Sequence, residues 1–155
     1  MKITTLTDLK AARPNFTLLL LSFSLLTALL ASTYAFADVL ADRKLNFKAN
    51  ADAMKAIAAA IASGDREKVI QKANVIAAWA RKIPAHFPEG SDGGDTKARP
   101  EIWFEFDTFV SRAKANEDAA LTLIKAAEIG DPSAMISGLK NLGASCKACH
   151  SSFKD

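Results

Sequence analysis

Two cysteines and two histidines are all that 155 residues contain of the residues that most often bind metals or form crosslinks. That excludes a disulfide-rich scaffold, and it leaves few ways to build a four-ligand zinc site. Tyrosine occurs once, and the five prolines and seven glycines leave long stretches uninterrupted. No segment alternates polar and apolar residues between turn signals, so a β-sheet is not expected. Charge of one sign is also scarce. The formal net charge is +3, and it falls to +1 for residues 38–155 alone. A near-neutral domain is not built to follow a phosphate backbone, so nucleic acid is not an expected partner.

The amino end reads as an export signal. Lys2, Lys10 and Arg13 precede an uncharged run over residues 16–36, which ends in Ala35-Phe36-Ala37 just before Asp38. A basic start, an apolar run and small residues at the cleavage-defining positions predict removal after Ala37. The expected domains are therefore a signal peptide, 1–37, and one folded domain, 38–155, outside the cytoplasm and with no membrane segment after cleavage.

Four helices are expected in that domain. The first, over about 38–63, places Phe47, Met54, Ile57 and Ile61 on one face, and Gly64 stops it. The second, over about 65–83, carries Val69, Ala73, Ile76, Ala80 and Ile83 at alternating spacings of four and three. Its lysines and arginines form a solvated face. Residues 84–100 hold three prolines and three glycines and predict a long irregular crossover. A third helix, over about 100–129, has Trp103, Phe106, Val110, Ala113 and Ala127 as its expected core stripe. Gly130 ends it, and Asp131-Pro132 starts a fourth as N-cap and first helical residue. The fourth runs to about residue 153 with Met135, Leu139, Leu142, Cys146, Cys149 and Phe153 on one side. Four amphipathic helices with short links and one crossover predict an all-α, antiparallel four-helix bundle.

Both cysteines fall in one string, Cys146-Lys147-Ala148-Cys149-His150. A bridge between residues three apart would constrain little of the unfolded chain. A thioredoxin-like redox pair would need a βαβ context, which is missing. A zinc site would have to draw on His86 and on adjacent Cys149 and His150, an awkward tetrahedron. C-x-x-C-H is instead the attachment pattern of c-type haem. Residues three apart share a helix face, so two thiols there can meet both vinyl groups of one porphyrin edge. The next residue, His150, can then ligate the iron from the proximal side. One covalent haem c, carried on the last helix, is the expected cofactor.

The domain resembles the cytochrome c′ family. The resemblance is carried by Gly143-Ala-Ser-Cys-Lys-Ala-Cys-His150 with Phe153, by Phe87-Pro-Glu-Gly-Ser-Asp-Gly-Gly-Asp95 followed by Ala98-Arg-Pro-Glu-Ile-Trp103, and by Arg43, Phe47, Lys48 and Met54-Lys55. It implies a four-helix haem bundle, usually a periplasmic homodimer, with five-coordinate high-spin iron. It implies that Phe47 covers the distal haem face and that Arg43 reaches a haem propionate, with Lys44, Asp95 and Thr96 at the haem edge. Many members carry arginine four residues after the histidine. Lys154 stands there in this chain and lacks arginine's planar fork.

The function that the resemblance implies is binding of NO or CO under an apolar lid, with one-electron exchange at the haem edge and a redox partner not yet identified. The alternative is a six-coordinate, low-spin electron carrier of the same fold. That alternative uses a methionine early in the first helix, and none occurs between Asp38 and Ala53. An enzyme such as a peroxidase needs a distal acid–base group, which Phe47 cannot be. Met54, Trp79 and Trp103 are expected to pack in the core, with Trp103 the nearer to haem, and His86 to face solvent.

Overall fold

In a computed structural model, the backbone is described for residues 16–155 and the side chains for residues 39–155. The leader expected over residues 1–37 therefore lies outside the fully described residues. The chain divides into two units, Met1–Ala35 and Phe36–Asp155, and the second carries the bundle. Among the described residues no helix is long and apolar enough to cross a membrane.

The helices are α1 (Phe16–Ser63), α2 (Arg66–Lys82), α3 (Glu101–Phe104), α4 (Phe106–Ile129) and α5 (Pro132–Phe153), with a 3₁₀ turn at Ile83–His86. The second unit's part of α1 forms the four-helix bundle with α2, α4 and α5. Its short links have local causes. Gly64, at φ 75°, lets the backbone N–H of Asp65 donate to the Ala60 carbonyl at 2.9 Å, which closes the end of α1. The Asp65 carboxylate then accepts from the Lys68 N–H at 3.0 Å and starts α2. Gly130, at φ 80°, ends α4 in the same way. The Asp131 carboxylate accepts from the N–H groups of Ser133 and Ala134 at 2.9 and 3.1 Å, and Pro132 opens α5. Two-residue links force antiparallel neighbours.

The core has two parts. In the first, Ile57, Val69, Ile76, Leu123 and Leu142 are fully buried among alanines. Each contributes roughly 1.5–3 kcal/mol by leaving water. Here α4 and α5 pack closely: a Cβ placed on Gly138 would lie 3.3 Å from Leu123 Cα and 3.1 Å from its Cδ1. The second part is aromatic, with Trp79, Phe87, Phe109 and Phe153 around Ile83 and Ile102. Phe109 stands edge-on to Phe87 at 4.9 Å and to Phe153 at 5.4 Å between ring centroids, a favoured aromatic geometry.

The third expected helix is corrected in one respect. The helical run breaks at Glu105, whose φ and ψ are −120° and 42°. The break shifts the phase of α4, so its buried face runs through Phe109, Ala113, Asn116, Ala120, Leu123 and Ala127. The expected stripe holds at Ala113 and Ala127 but not at Phe106 and Val110, which are exposed, and Phe104 is turned out to 84% exposure.

Candidate functional site

The aromatic end of the core borders a cavity of about 670 Å³. Its walls come from α1, α4, α5 and the crossover loop. All eight residues singled out from the sequence line it: Arg43, Lys44 and Phe47 from α1, Asp95 and Thr96 from the loop, and Cys146, Cys149 and His150 from α5.

Cys146 and Cys149 are half-buried, unbridged thiols. Their spacing of three puts both on the cavity side of α5. Burial raises the pKa of each, to about 11 for Cys149, so both are neutral thiols at neutral pH. Asn116 Nδ2 donates to Cys146 Sγ at 3.3 Å and to Ser145 Oγ at 2.8 Å, which fixes the first thiol against α4. Cys149 packs with the aromatic cluster. His150 has its pKa lowered, first by burial and then by the charge of Lys154. Both effects favour the neutral imidazole, the form that ligates a metal.

Phe47 approaches His150 edge-on, with ring centroids 6.4 Å apart and planes at 65°, and meets Trp79 edge-on at 5.4 Å. The mostly apolar walls suit a porphyrin, and the thiols and imidazole stand together on α5. Among the described residues no group of three or more His, Cys, Asp and Glu side chains gathers as a metal site. Two thiols beside one imidazole are instead the donor set of a c-type haem. The residues present fit a covalently held haem.

Arg43 is not a solvated helix residue. It is 3% exposed. Its Nε donates to the His86 carbonyl, its Nη1 to the Ser91 carbonyl at 2.9 Å and its Nη2 to Ser91 Oγ. Its guanidinium lies 3.9 Å from the centre of the Phe87 ring. Burial lowers its pKa to about 10, which still leaves it charged at neutral pH. About two of its five N–H groups are left over for another acceptor. Lys44 pairs with Asp95 at 2.6 Å, and that hydrogen bond holds the Asp95 carboxyl below its ordinary pKa. Thr96 Oγ1 accepts from the Ala98 N–H at 3.1 Å. The loop is tied to the end of α5: Ala98 and Lys154 form an antiparallel bridge. Alongside it, the Arg99 N–H donates to the Phe153 carbonyl at 3.1 Å and the Asp155 N–H to the Lys97 carbonyl at 3.0 Å.

Two sequence expectations change and a third is extended. His86 does not simply face solvent: its ring stands 4.7 Å from that of Trp79, and its Nδ1 is 3.0 Å from the Lys82 carbonyl. Trp103 is not on the cavity wall. Its indole N–H is shared between the carbonyls of Phe87 and Pro88, at 3.1 and 2.9 Å, and so braces the loop. Met54 packs against the core as expected, but it also lines the cavity. Its Cε lies 3.8 Å from where a Cβ on Gly143 would be. Sequence reading missed Asn50, Arg112 and Asn116 on the walls, because single polar residues inside an apolar face carry no motif.

Comparison with known proteins agrees with this geometry. A family sequence model described as Cytochrome C' matches residues 38–154. A cytochrome c′ of Pararhodospirillum photometricum is 38% identical over 117 residues, covering 73% of this chain and 93% of that one. A cytochrome c′ of Rhodospirillum rubrum is 46% identical over 83 residues, covering 53% of this chain and 56% of that one. This second match spans little more than half of its relative's length. Among solved structures, a nitric oxide complex of a mutant cytochrome c prime from Alcaligenes xylosoxidans superposes with a TM-score of 0.69 at 26% identity. The superposition covers 77% of this chain and 95% of that one. From residue 38 onward, the chain belongs to the cytochrome c′ family, and its covalent cofactor is haem c.

Proposed function

We propose that this protein binds NO or CO at a five-coordinate haem iron and exchanges single electrons at the haem edge. The observation that carries the reading is the gathering of Cys146, Cys149, His150 and Phe47 on the walls of one largely apolar cavity. In it, Cys146 and Cys149 would hold a haem through thioether bonds, and His150 would ligate its iron. When bound, the haem supplies an open coordination position and a one-electron couple. Phe47 fills the space over that position with a ring that cannot ligate or move a proton, so the reading is of binding and electron exchange rather than enzymatic turnover. A small uncharged ligand enters by displacing the ring; an anion would lose its hydration there without compensation. Buried Arg43, with Lys44, Asp95 and Thr96 on the same cavity wall, would hold the haem's carboxylate edge. The nitric oxide complex of the Alcaligenes relative supports the choice of ligand.

The reading includes export to the periplasm, with residues 1–37 removed and residues 38–155 as the mature domain, and assembly as a homodimer. The test is the optical spectrum of the ferrous holoprotein before and after CO. A broad high-spin Soret band that sharpens and shifts supports the reading. Sharp low-spin α and β bands, unmoved by CO, would instead establish a sixth protein ligand and an electron carrier.

A further inference from the structure

The break at Glu105 leaves an aromatic face turned to solvent. Phe104, Phe106 and Val110 are 84%, 38% and 37% exposed. Phe106 and Val110 are four residues apart on α4 and so share a face, and Phe104 stands just across the break. Single exposed apolar residues need no explanation, but a group of them with a polar border marks an interaction surface. The border here carries one sign of charge. Between Pro100 and Ser111 the chain has three acids, Glu101, Glu105 and Asp107, and no lysine or arginine. Glu101 pairs with Arg99, whereas Glu105 and Asp107 are exposed and form no ion pair among the described residues. The next base along α4, Arg112, lines the cavity. The face also lies close to that cavity. The Phe106 ring packs against that of Phe109, with centroids 6.1 Å apart, and Phe109 is buried and lines the cavity. Phe109 thus stands between the exposed face and the pocket.

Resting on the electron-exchange part of the reading above, we propose that Phe104, Phe106 and Val110, with Glu105 and Asp107, form the docking surface for a redox partner protein whose own apolar patch is rimmed by lysine or arginine. Charge complementarity selects this occupant. A second copy seated here about a two-fold axis would set the same acids against each other, and an anionic membrane would be repelled. Three side chains make a small face, and redox encounters use the smallest of specific interfaces. Aromatic side chains are also the ones enriched at interface centres. Docked there, the partner exchanges one electron with the haem across Phe106 and Phe109.

The test uses the ferrous holoprotein with tris(phenanthroline)cobalt(III), a cation with flat apolar ligands, and with ferricyanide, an anion. Each takes one electron: cobalt(III) becomes cobalt(II), ferricyanide becomes ferrocyanide, and the haem iron becomes ferric. The variants are Phe104→Ser and the double change Glu105→Lys with Asp107→Lys. All three sites are exposed, so neither variant disturbs the core. Stopped flow at low salt is expected to show each variant slowing the cobalt reaction severalfold. Phe104→Ser should leave the ferricyanide rate unchanged, and the charge reversal should raise it. The redox-inert, paramagnetic chromium(III) analogue should broaden the amide resonances of residues 104–110 before others. Cobalt rates equal to the parent's in both variants, or broadening centred elsewhere, overturn the proposal. Sedimentation showing a dimeric parent and a monomeric Phe104→Ser also overturns it, because a second copy then covers the face. A parent that neither oxidant oxidises overturns the electron-exchange reading and this inference with it.

Discussion

The Arg43 guanidinium lies 3.9 Å from the centre of the Phe87 ring, so a cation from α1 is sandwiched into the crossover loop. Its donors reach the His86 and Ser91 carbonyls and the Ser91 hydroxyl. Hydrogen bonds from a charged donor contribute about 1.5–3 kcal/mol each. Arg43→Ala is expected to destabilise the holoprotein by roughly 3–5 kcal/mol, less than the full sum because the freed carbonyls regain water. Arg43→Lys should recover under half of that, for want of the fork. Denaturant unfolding of the three proteins checks this, and equal midpoints would show that the loop is held by other contacts.

Phe47 is expected to act as a lid. To move aside it gives up its edge-on contact with Trp79, worth about 0.5–1.5 kcal/mol. Phe47→Ala should therefore speed CO binding by up to about tenfold. Flash photolysis measures this directly. A variant no faster than the parent would mean that some other step limits entry.

The carboxylate of Glu117 is buried and paired with Arg81 at 2.6 Å, while Arg81 is largely exposed. Removing the two partners should have unequal effects. Arg81→Ala leaves a buried carboxylate with only Lys114, 3.6 Å away, and is expected to cost roughly 1–3 kcal/mol. Glu117→Leu lets Arg81 return to water and fills the site with apolar atoms, so it should be close to neutral. Thermal melts of the pair decide it, and a reversed order would show that the charge pair itself stabilises the bundle.

Asp131, the α5 N-cap, has its pKa lowered, first by its hydrogen bond from the Ser133 hydroxyl and then by backbone N–H groups. A carboxyl whose folded pKa lies below its unfolded value of 3.8 stabilises the fold above that pH. It loses the contribution as pH falls through the folded value. Asparagine caps about as well without titrating. Asp131→Asn should match the parent under acid conditions and fall slightly below it near neutrality. Parallel pH–melting curves would refute this.

Much of this architecture was legible in the sequence. Val69, Ala73, Ile76, Ala80 and Ile83 were read from spacing alone, and all five are buried. The cap at Asp131 follows from residue chemistry beside a glycine. C-x-x-C-H located the α5 wall, because attachment chemistry dictates its spacing. The break at Glu105 was not legible, since nothing in Phe104-Glu105-Phe106 opposes a continuous helix. The phase of α4 follows from that break, which is why Phe109 and not Phe106 faces the core. The anchoring of Arg43 escaped for another reason: its acceptors are mostly backbone carbonyls, which every residue has.

Gly138 has a consequence at a distance. With no side chain between them, the backbones of α4 and α5 pack closely at Leu123. Cys146 lies eight residues further along α5, a distance of about 12 Å. Even an alanine methyl at position 138 would press on Leu123, and α4 or α5 would have to give by a few tenths of an ångström. The close packing of the helix that carries the thiols thus rests on a residue that brings no side-chain atoms of its own.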